Sequence, residues 1–243
     1  ARDLEITACG ARGDGLYDCT EAIRAAITAC SEAGGGRVIV PVGTFLTGAI
    51  HLESRINLHL VEGATLLFKT DPEAYLPVVF TRNEGIECMN YSPFIYAFGK
   101  EDIAITGSGT LDGQADKGVW WSWKKKETEP RQEGETVSES DRDRLVRMGR
   151  EGIPVAERLF GRGYRLRPNF IQPYNCRNVL IEGVRIKGSP MWEIHPVLCT
   201  NVTVSGVHID SHGPNNDGCN PESCRDVLIE NCFFNTGDDC IAV

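Results

Sequence analysis

A nine-residue pattern that occurs three times in the second half of the chain decides the fold. The first copy reads Asn178-Val179-Leu180-Ile181-Glu182-Gly183-Val184-Arg185-Ile186, and the others run from Asn201 to Ile209 and from Asp226 to Phe234. The copies begin 23 and 25 residues apart, and a cysteine stands two residues before each of them (Cys176, Cys199 and Cys224). A weaker copy begins at Asp102.

Each copy alternates apolar and polar residues on either side of a Gly or Asn bend, which is typical of two short, half-buried strands. A period in the twenties without helical spacing indicates a parallel β-solenoid, in which successive coils stack on one another. A leucine-rich repeat has a similar period, but its leucine pattern is absent. The repeat therefore predicts an all-β parallel β-helix.

The N-terminal region predicts a helix that covers the first coil. One face of this helix is apolar, and three glycines (Gly34, Gly35 and Gly36) end it. The apolar stripe consists of Ala22, Ile23, Ala26, Ile27 and Cys30. Such a helix blocks edge-to-edge pairing of the first strands. Short strands are expected after it, at residues 38–40, 44–46 and 56–60.

Three carboxylates lie in glycine-flanked loops at matching points of the repeat. Asp217 follows the strand that ends near Ile209, whereas Asp238 and Asp239 follow the strand that ends near Phe234. Because stacked coils lie about 4.8 Å apart, the register predicts that the three side chains form one patch. Surface turns rich in Asp and Asn are common and are the alternative. Paired carboxylates at such a place suit acid/base cleavage of a glycosidic bond.

These loops resemble the polygalacturonase-type glycoside hydrolases, a family of pectin-cleaving right-handed parallel β-helices. The family is marked in order by Asn-Thr-Asp, Gly-Asp-Asp, Gly-His-Gly and Arg-Ile-Lys. Here the first motif appears as Asn215-Asn216-Asp217, with Asn in place of Thr, and the second is intact as Gly237-Asp238-Asp239. The chain stops at Val243, before the other two motifs could occur, so we expect a β-helix that is incomplete at its C-terminus.

The resemblance implies hydrolysis, with inversion, of α-1,4 bonds between the galacturonic acid units of pectin or its oligomers. It makes Asp238 the general acid, while Asp217 and Asp239 hold the attacking water. Two neighbouring carboxylates favour the protonated form that the acid needs. No cofactor and no metal are implied.

Four further residues are candidate substrate-binding residues. Asn220 matches a position that contacts substrate in relatives, and Asn216 lies inside the first motif. Trp192 and His195 follow the repeat unit one coil before Asp217 and could line the cleft. A hydrogen-bonded strand histidine is the alternative for His195. His212 is closer in sequence to Asp217, but nothing fixes its direction.

Arg185-Ile186-Lys187 spells the family's substrate-binding tripeptide, yet it precedes both aspartate motifs, whereas the family's copy follows them. Arg185 also alternates outward between two apolar residues. We therefore interpret Arg185 as a solvated strand residue.

The repeat disappears between residues 114 and 168, where the chain becomes charged. A helix is expected from Ser138 to Gly149, with an apolar face of Leu145, Val146 and Met148. Long insertions in compact folds are usually functional or mobile. The insertion carries three tryptophans (Trp120, Trp121 and Trp123), which could stack on sugar rings or simply pin the insertion to the solenoid.

Composition fits a single domain over residues 1–243 with that insertion inside it. A net charge of −9 argues against nucleic acid as a partner, and a polyanionic substrate would require positive charge that is focused in the cleft. No stretch is apolar enough for a membrane span. We expect a monomer that is secreted or periplasmic. The ten cysteines are too few for a disulfide scaffold, although a disulfide among Cys219, Cys232 and Cys240 stays open.

Two other functions fit a β-helix with an acidic patch. A pectate-lyase-like enzyme would bind Ca²⁺ through the carboxylates and cleave by elimination. A non-catalytic carbohydrate-binding or structural solenoid is favoured by the absence of the second half of the site and disfavoured by the intact Gly-Asp-Asp motif. The sequence leaves open endo or exo action, and polygalacturonan, rhamnogalacturonan or xylogalacturonan as substrate.

Overall fold

The computed structural model describes residues 2–126, 128–130 and 132–243, and these residues form a parallel β-helix. Two walls are seven-stranded parallel sheets, and a third wall is a three-stranded parallel sheet. The strands are β1 (Arg2–Glu5), β2 (Asp14–Asp18), β3 (Gly36–Val40), β4 (Gly43–Thr47), β5 (Ile50–His51), β6 (Ile56–Leu60), β7 (Ala64–Phe68), β8 (Val79–Asn83), β9 (Ile86–Asn90), β10 (Ile95–Phe98), β11 (Glu101–Gly107), β12 (Thr110–Asp112), β13 (Ile171–Tyr174), β14 (Arg177–Glu182), β15 (Arg185–Lys187), β16 (Thr200–Ser205), β17 (His208–Ser211), β18 (Arg225–Glu230) and β19 (Phe233–Thr236).

The order of the strands within each wall follows the chain. The first wall is β1-β3-β6-β11-β14-β16-β18, the second is β2-β4-β7-β12-β15-β17-β19, and the third is β5-β10-β13. Single bridges continue the third wall from Ile171 to Ile194, Cys219 and Ile241. Each coil therefore passes the three walls in turn, and the loops between walls stack like the strands.

The strand register confirms the repeat that the sequence predicts. Val179 pairs with Val202, and Val202 pairs with Val227, which reproduces the two spacings of the repeat. The weaker copy is also aligned, because Ile103 pairs with Val179.

Inward-facing residues form continuous apolar columns through the coils. One column in the first wall joins Val38, Leu58, Ile105, Ile181, Val204 and Ile229. A second column, in the second wall, joins Phe45, Leu66, Leu111, Ile186, Ile209 and Phe234. A fully buried aliphatic side chain contributes about 1.5–3 kcal/mol to stability, so these columns hold the coils together.

Asn or Asp begins each repeat because that position has a left-handed backbone. The φ angles are 56° at Asp102, 58° at Asn178, 60° at Asn201 and 58° at Asp226, a region that Asn and Asp tolerate better than most residues. The side chains also stack. Asn201 donates to Asn178 Oδ1 at 2.9 Å, and Asn178 donates to Asp102 Oδ1 at 2.7 Å.

The N-terminal helix is confirmed as α1 (Thr20–Glu32), and its buried residues are the five of the expected stripe. Two further helices lie in the insertion, namely α2 (Trp123–Lys126) and α3 (Asp141–Arg150). Short 3-10 segments occur at Ile6–Cys9, Pro72–Tyr75 and Val155–Glu157. Helix α3 begins three residues later than expected, because the Ser140 hydroxyl caps it by accepting from the Asp143 amide at 3.0 Å.

The insertion packs against a hairpin that the repeat analysis did not find. Strands β8 and β9 pair antiparallel and leave the solenoid between β7 and β10. A small second core joins Cys88 of this hairpin to Leu145 and Met148 of α3. Val146 is only half-buried. The β8–β9 hairpin and the insertion therefore pack against each other beside the solenoid.

The ten cysteines are free thiols. Cys176, Cys199 and Cys224 occupy equivalent places in successive coils and pack in or against the core. Their recurrence in the sequence is thus a feature of stacking.

Candidate active site

The predicted acidic patch forms where two stacked loops leave the second wall. Strands β17 and β19 pair in register up to Ser211 and Thr236. The loop after β17 carries Asp217, and the loop after β19 carries Asp238 and Asp239. One carboxylate oxygen from each of the three lies within 4.8 Å of the others. The coil register thus brings together residues about twenty positions apart.

Glycines allow these loops to approach closely. A Cβ at Gly237 would collide with the Gly213 carbonyl oxygen of the coil below. The loops are also tied by their backbones, since the Gly218 amide donates to the Asp239 carbonyl at 2.9 Å. The close approach of Gly237 to Gly213 explains why glycine begins the Gly-Asp-Asp motif.

Asp217 lies at the bottom of the patch, with 6% of its surface exposed. Asn220 donates to Oδ2 at 2.8 Å, whereas Oδ1 is buried and has no hydrogen-bond partner. Burial raises the pKa of Asp217, and the negative charges of Asp238 and Asp239 raise it further, against the opposing hydrogen bond from Asn220. A carboxylate of this kind is a stronger base than a free one.

Asp238 and Asp239 are exposed at the mouth of the patch. The Asp239 amide donates to Asp238 Oδ1 at 2.9 Å, and the Thr236 hydroxyl donates to the Asp238 carbonyl at 2.7 Å. These contacts fix the loop, and the Asp238 side chain stays exposed. The patch thus combines one buried carboxyl group with two accessible ones.

Asn216 is fully buried, and both polar atoms of its side-chain amide form hydrogen bonds with protein groups. Its Oδ1 accepts from the Ser211 hydroxyl at 2.6 Å and from the Gly213 amide at 3.0 Å. Its Nδ2 donates to the carbonyls of Ser189 and Met191 at 2.9 and 3.1 Å. The side chain therefore fixes the shape of the catalytic loop, and no part of it is left to contact a sugar.

His195 is also fully buried, and it belongs to a hydrogen-bond network. Its Nδ1 accepts from the amides of Asn169 and Gln172 at 2.9 and 3.0 Å, so the proton lies on Nε2, which faces Glu222 Oε1 at 3.3 Å. Burial lowers the pKa of His195, although Glu222 opposes this effect. Two interpretations of His195 were open: a residue that lines the cleft, or a hydrogen-bonded strand histidine. The geometry agrees with the hydrogen-bonded strand histidine.

Trp192 is half-buried and stands edge-on to His195, with ring centroids 4.8 Å apart. Asn220, the remaining candidate, is buried and bonded to Asp217, and its Oδ1 accepts from the Ala242 amide at 3.2 Å. Asn220 therefore supports the acidic patch directly, whereas Trp192 contacts the ring of His195.

Sequence reasoning missed Arg82, which reaches this network from the hairpin. Its guanidinium donates to Glu222 Oε2 at 2.6 Å and to Glu87 Oε1 at 3.1 Å. Burial alone would raise the pKa of Glu222, but the hydrogen bonds and positive charges of His195 and Arg82 together lower it. Arg82 and Glu222 lie far apart in sequence, so no local pattern could have identified this pair.

A cavity of about 470 Å³ lies between the insertion and the catalytic loop. Three cationic side chains (Lys124, Arg142 and Arg167) and two carboxylates (Glu84 and Asp143) line it, together with Asn215 of the loop. Arg167 is anchored, because it donates to the Pro214 carbonyl and to Asn215 Oδ1, each at 2.8 Å. Arg142 pairs with Glu84. The insertion therefore places cationic side chains, partly balanced by carboxylates, beside the loop that carries Asp217.

The three tryptophans of the insertion have different positions. Trp120 is 2% exposed and packs against Tyr75 and Phe94 in the main core. Trp121 donates to the Ser189 carbonyl at 2.8 Å and packs so tightly on Gly213 that a Cβ there would collide with its ring. Trp123 is half-buried beside Trp120, at 4.9 Å between centroids. Trp120 thus anchors the insertion to the solenoid, which was the alternative to stacking on sugar rings.

Arg185-Ile186-Lys187 forms strand β15, with Ile186 in the core and both basic residues exposed. Lys187 lies 3.7 Å from the carboxylate of Asp112. His212 is exposed and faces Asp210 at 2.7 Å. The structure therefore agrees with the interpretation of Arg185 as a solvated strand residue.

Comparison with known proteins identifies the relatives of this chain. Residues 160–243, which contain the acidic patch, match the model for "Glycosyl hydrolases family 28". Over its full length the chain is 30% identical to a "Probable polygalacturonase" of Vitis vinifera and covers 44% of that protein. It is 27% identical over 98% of its length to an "Exo-poly-alpha-D-galacturonosidase" of Dickeya chrysanthemi, of which it covers 41%.

A solved structure gives a closer likeness. The crystal structure of a "hyperthermoactive Exopolygalacturonase" from Thermotoga maritima superposes with a TM-score of 0.92 and 55% sequence identity, over 99% of this chain and 54% of that one. The chain thus spans about half the length of the relatives that it matches. These comparisons confirm the right-handed parallel β-helix and the resemblance of this chain to the polygalacturonase-type glycoside hydrolases.

Proposed function

We propose that the protein hydrolyses α-1,4-galacturonosyl bonds in pectic polysaccharide or its oligomers by an inverting acid/base mechanism. The observation that carries the proposal is the three-carboxylate patch of Asp217, Asp238 and Asp239, within 4.8 Å of one another. A pair of carboxyl groups in different protonation states is what glycoside hydrolysis requires. The names of the relatives support galacturonan as the substrate class.

In this mechanism Asp238 protonates the oxygen of the leaving sugar. Its exposed position at the mouth of the patch suits contact with a polymer. Asp217 and Asp239 together hold and deprotonate the attacking water. The raised pKa of Asp217 and its hydrogen bond from Asn220 suit a base with a fixed orientation.

The substrate is a polyanion, so its binding requires local positive charge. Lys124 supplies such charge in the cavity beside the catalytic loop, whereas Arg142 is paired with Glu84 and Arg167 is bonded to the loop itself. Asn216 and His195 act on the substrate indirectly, since they hold the catalytic loop and its neighbouring strand. Trp192, which is half-buried, keeps the proposed role at the cleft.

We further propose that the protein acts as a secreted or periplasmic monomer. Pectic polymers lie outside the cytoplasm of the cells that degrade them. Among the described residues, no helix combines the length and the apolar character that a membrane span requires.

Product analysis on defined galacturonate oligomers tests the proposal. We expect saturated products that form equally well in the presence of a chelator, and no activity in an Asp217→Asn variant. Asp226→Asn is the matched control, because Asp226 is an exposed aspartate at the start of β18, outside the acidic patch. Products that are unsaturated and absorb ultraviolet light, with loss of activity on chelation, would establish Ca²⁺-dependent elimination instead. The same product pattern distinguishes endo from exo cleavage.

A further inference from the structure

Glu193 is a fully buried carboxyl group that sequence reasoning did not single out. It has no measurable exposure, and neither of its carboxylate oxygens has a hydrogen-bond partner. Its amide donates to the Asp217 carbonyl at 2.9 Å, so the two residues are neighbours in adjacent coils. A buried charge without a partner is very costly, which means that Glu193 must be neutral or must have a function that offsets the cost.

Asp217, the neighbour of Glu193 in the next coil, carries a second unsatisfied group. Oδ1 of Asp217 is likewise buried without a partner. The nearby Ser211 hydroxyl donates to Asn216 Oδ1 at 2.6 Å, so its influence on Glu193 is shared with that bond. If both acids were ionised, the site would bury three unpartnered acceptor oxygens. A single proton on one acid would turn an acceptor into a donor.

The surrounding charges decide which acid keeps that proton. Burial and the negative charge of Asp217 raise the pKa of Glu193 well above its ordinary range, and the opposing influences come from Ser211 and its own backbone. Asp217 has the Asn220 donor, which favours its ionised form, although Asp238 and Asp239 face it from the next coil. Nearby His195 directs its Nε2 proton to Glu222. The proton therefore belongs on Glu193.

We propose that Glu193 is a positioning residue that retains its proton and presents it to Oδ1 of Asp217. Asp217 is then held at both oxygens, by Asn220 at Oδ2 and by Glu193 at Oδ1. This arrangement keeps Asp217 ionised and oriented toward the water that it activates. The inference rests on the proposed function for the role of Asp217, but the protonation of Glu193 does not depend on that function.

Two substitutions in the intact protein test this role. Glu193→Met keeps the length of the side chain but removes the donor, so the acid limb of the kcat/KM profile moves to higher pH. Activity below the optimum then falls about tenfold or more, as expected for loss of a hydrogen bond to a charged group. Glu193→Gln restores a neutral donor and recovers most of the lost activity.

A merely structural role would give a different result. In that case Glu193→Met would lower activity and melting temperature together, without moving the acid limb, and this result would overturn the proposal. Equal losses in Glu193→Gln and Glu193→Met would also overturn it. Glu182→Gln, an exposed substitution at the end of β14, is the control.

Two spectroscopic measurements stay decisive even if the protein does not cleave galacturonan. The infrared carbonyl band of a protonated carboxyl group should be present at neutral pH and should lose the intensity of one carboxyl group in Glu193→Gln. The carboxyl carbon of Asp217, followed by NMR, should titrate at higher pH in Glu193→Met than in the wild type. Absence of the band in the wild type, or an unchanged Asp217 titration, would refute the assignment of the proton.

Discussion

Asn220 donates a hydrogen bond from its Nδ2 to Oδ2 of Asp217 at 2.8 Å, within a single loop of the solenoid. The bond holds a mostly buried carboxylate whose pKa is raised by burial and by two neighbouring acids. Asn220 is itself fixed, because its Oδ1 accepts from the Ala242 amide of the next coil. The orientation of the proposed base therefore depends on contacts between coils.

Replacing Asn220 tests this dependence. In Asn220→Ala the ionised form of Asp217 loses a donor, so its pKa rises further and the acid limb of the pH profile moves to higher pH. Activity on the acid side of the optimum should fall about tenfold, since a hydrogen bond to a charged group contributes about 1.5–3 kcal/mol. Steady-state rates across a pH series measure the effect. Asn235→Ala, an exposed change in β19, should leave the limb in place.

Asp238→Asn should reduce turnover by about 10²- to 10⁴-fold, the usual contribution of a positioned general acid. The amide has nearly the same shape but cannot protonate the leaving oxygen. Initial rates on polygalacturonate measure the loss, and thermal unfolding should be nearly unchanged because the side chain is exposed. Near-normal turnover in this variant would exclude Asp238 as the acid.

The stereochemical outcome is a sharp test, because the separation of the carboxylates and the assignment of two water-holding acids predict different outcomes. The separation of the carboxylate oxygens, within 4.8 Å, is shorter than the about 6.5–9.5 Å that is typical of inverting pairs. We nevertheless expect inversion, since two of the three acids hold water rather than one acid attacking the sugar. Proton NMR of the first products records the anomer directly. Retained configuration would indicate a covalent intermediate and would contradict the two-base assignment.

Lys124 and Lys125 form a matched pair in helix α2. Lys124 lines the cavity beside the catalytic loop, whereas Lys125 is exposed and is not part of that lining. In Lys124→Ala we expect KM for galacturonate oligomers to rise about two- to fivefold with kcat unchanged, in keeping with the small energies of exposed ion pairs. The effect should shrink as salt is added. Equal effects in Lys125→Ala would mean that the cavity does not bind the substrate.

Trp120 should matter for stability rather than for binding. Truncation of a buried aromatic residue costs about 3–5 kcal/mol, and Trp120 packs with Tyr75 and Phe94 in the main core. Denaturant unfolding of Trp120→Ala should show this loss. Trp123→Ala, at a half-buried position, should cost less. If Trp120→Ala kept full stability and lost only substrate affinity, the insertion would not be anchored as the structure indicates.

Much of the solenoid could be read from the sequence because its contacts are periodic. The positions of Val179, Val202 and Val227 in one column follow from their spacing alone. The same register placed Asp217 beside Asp238 and Asp239, since equivalent loops must stack. The hairpin of β8 and β9 has no counterpart in other coils, so the repeat could not identify it.

The roles of individual polar side chains were harder to predict. Asn216 and His195 were expected to meet the substrate, yet both are buried with their polar atoms bonded to protein groups. Sequence position fixes which loop a residue occupies but not which way its side chain points. The ion pair of Arg82 and Glu222 joins the β8–β9 hairpin to a loop of the solenoid. The repeat spacing does not relate these two segments.

The sequence by itself determined the coil register, the N-terminal helix and the meeting of three acids, because these follow from local periodicity and from the fixed spacing of stacked strands. Only the tertiary structure decided how those acids differ. Burial of Asp217 and Glu193, the Asn220 donor and the cations brought in by the insertion depend on packing between segments distant in the chain. Protonation follows from desolvation and from neighbouring charge, both of which are properties of the folded surroundings.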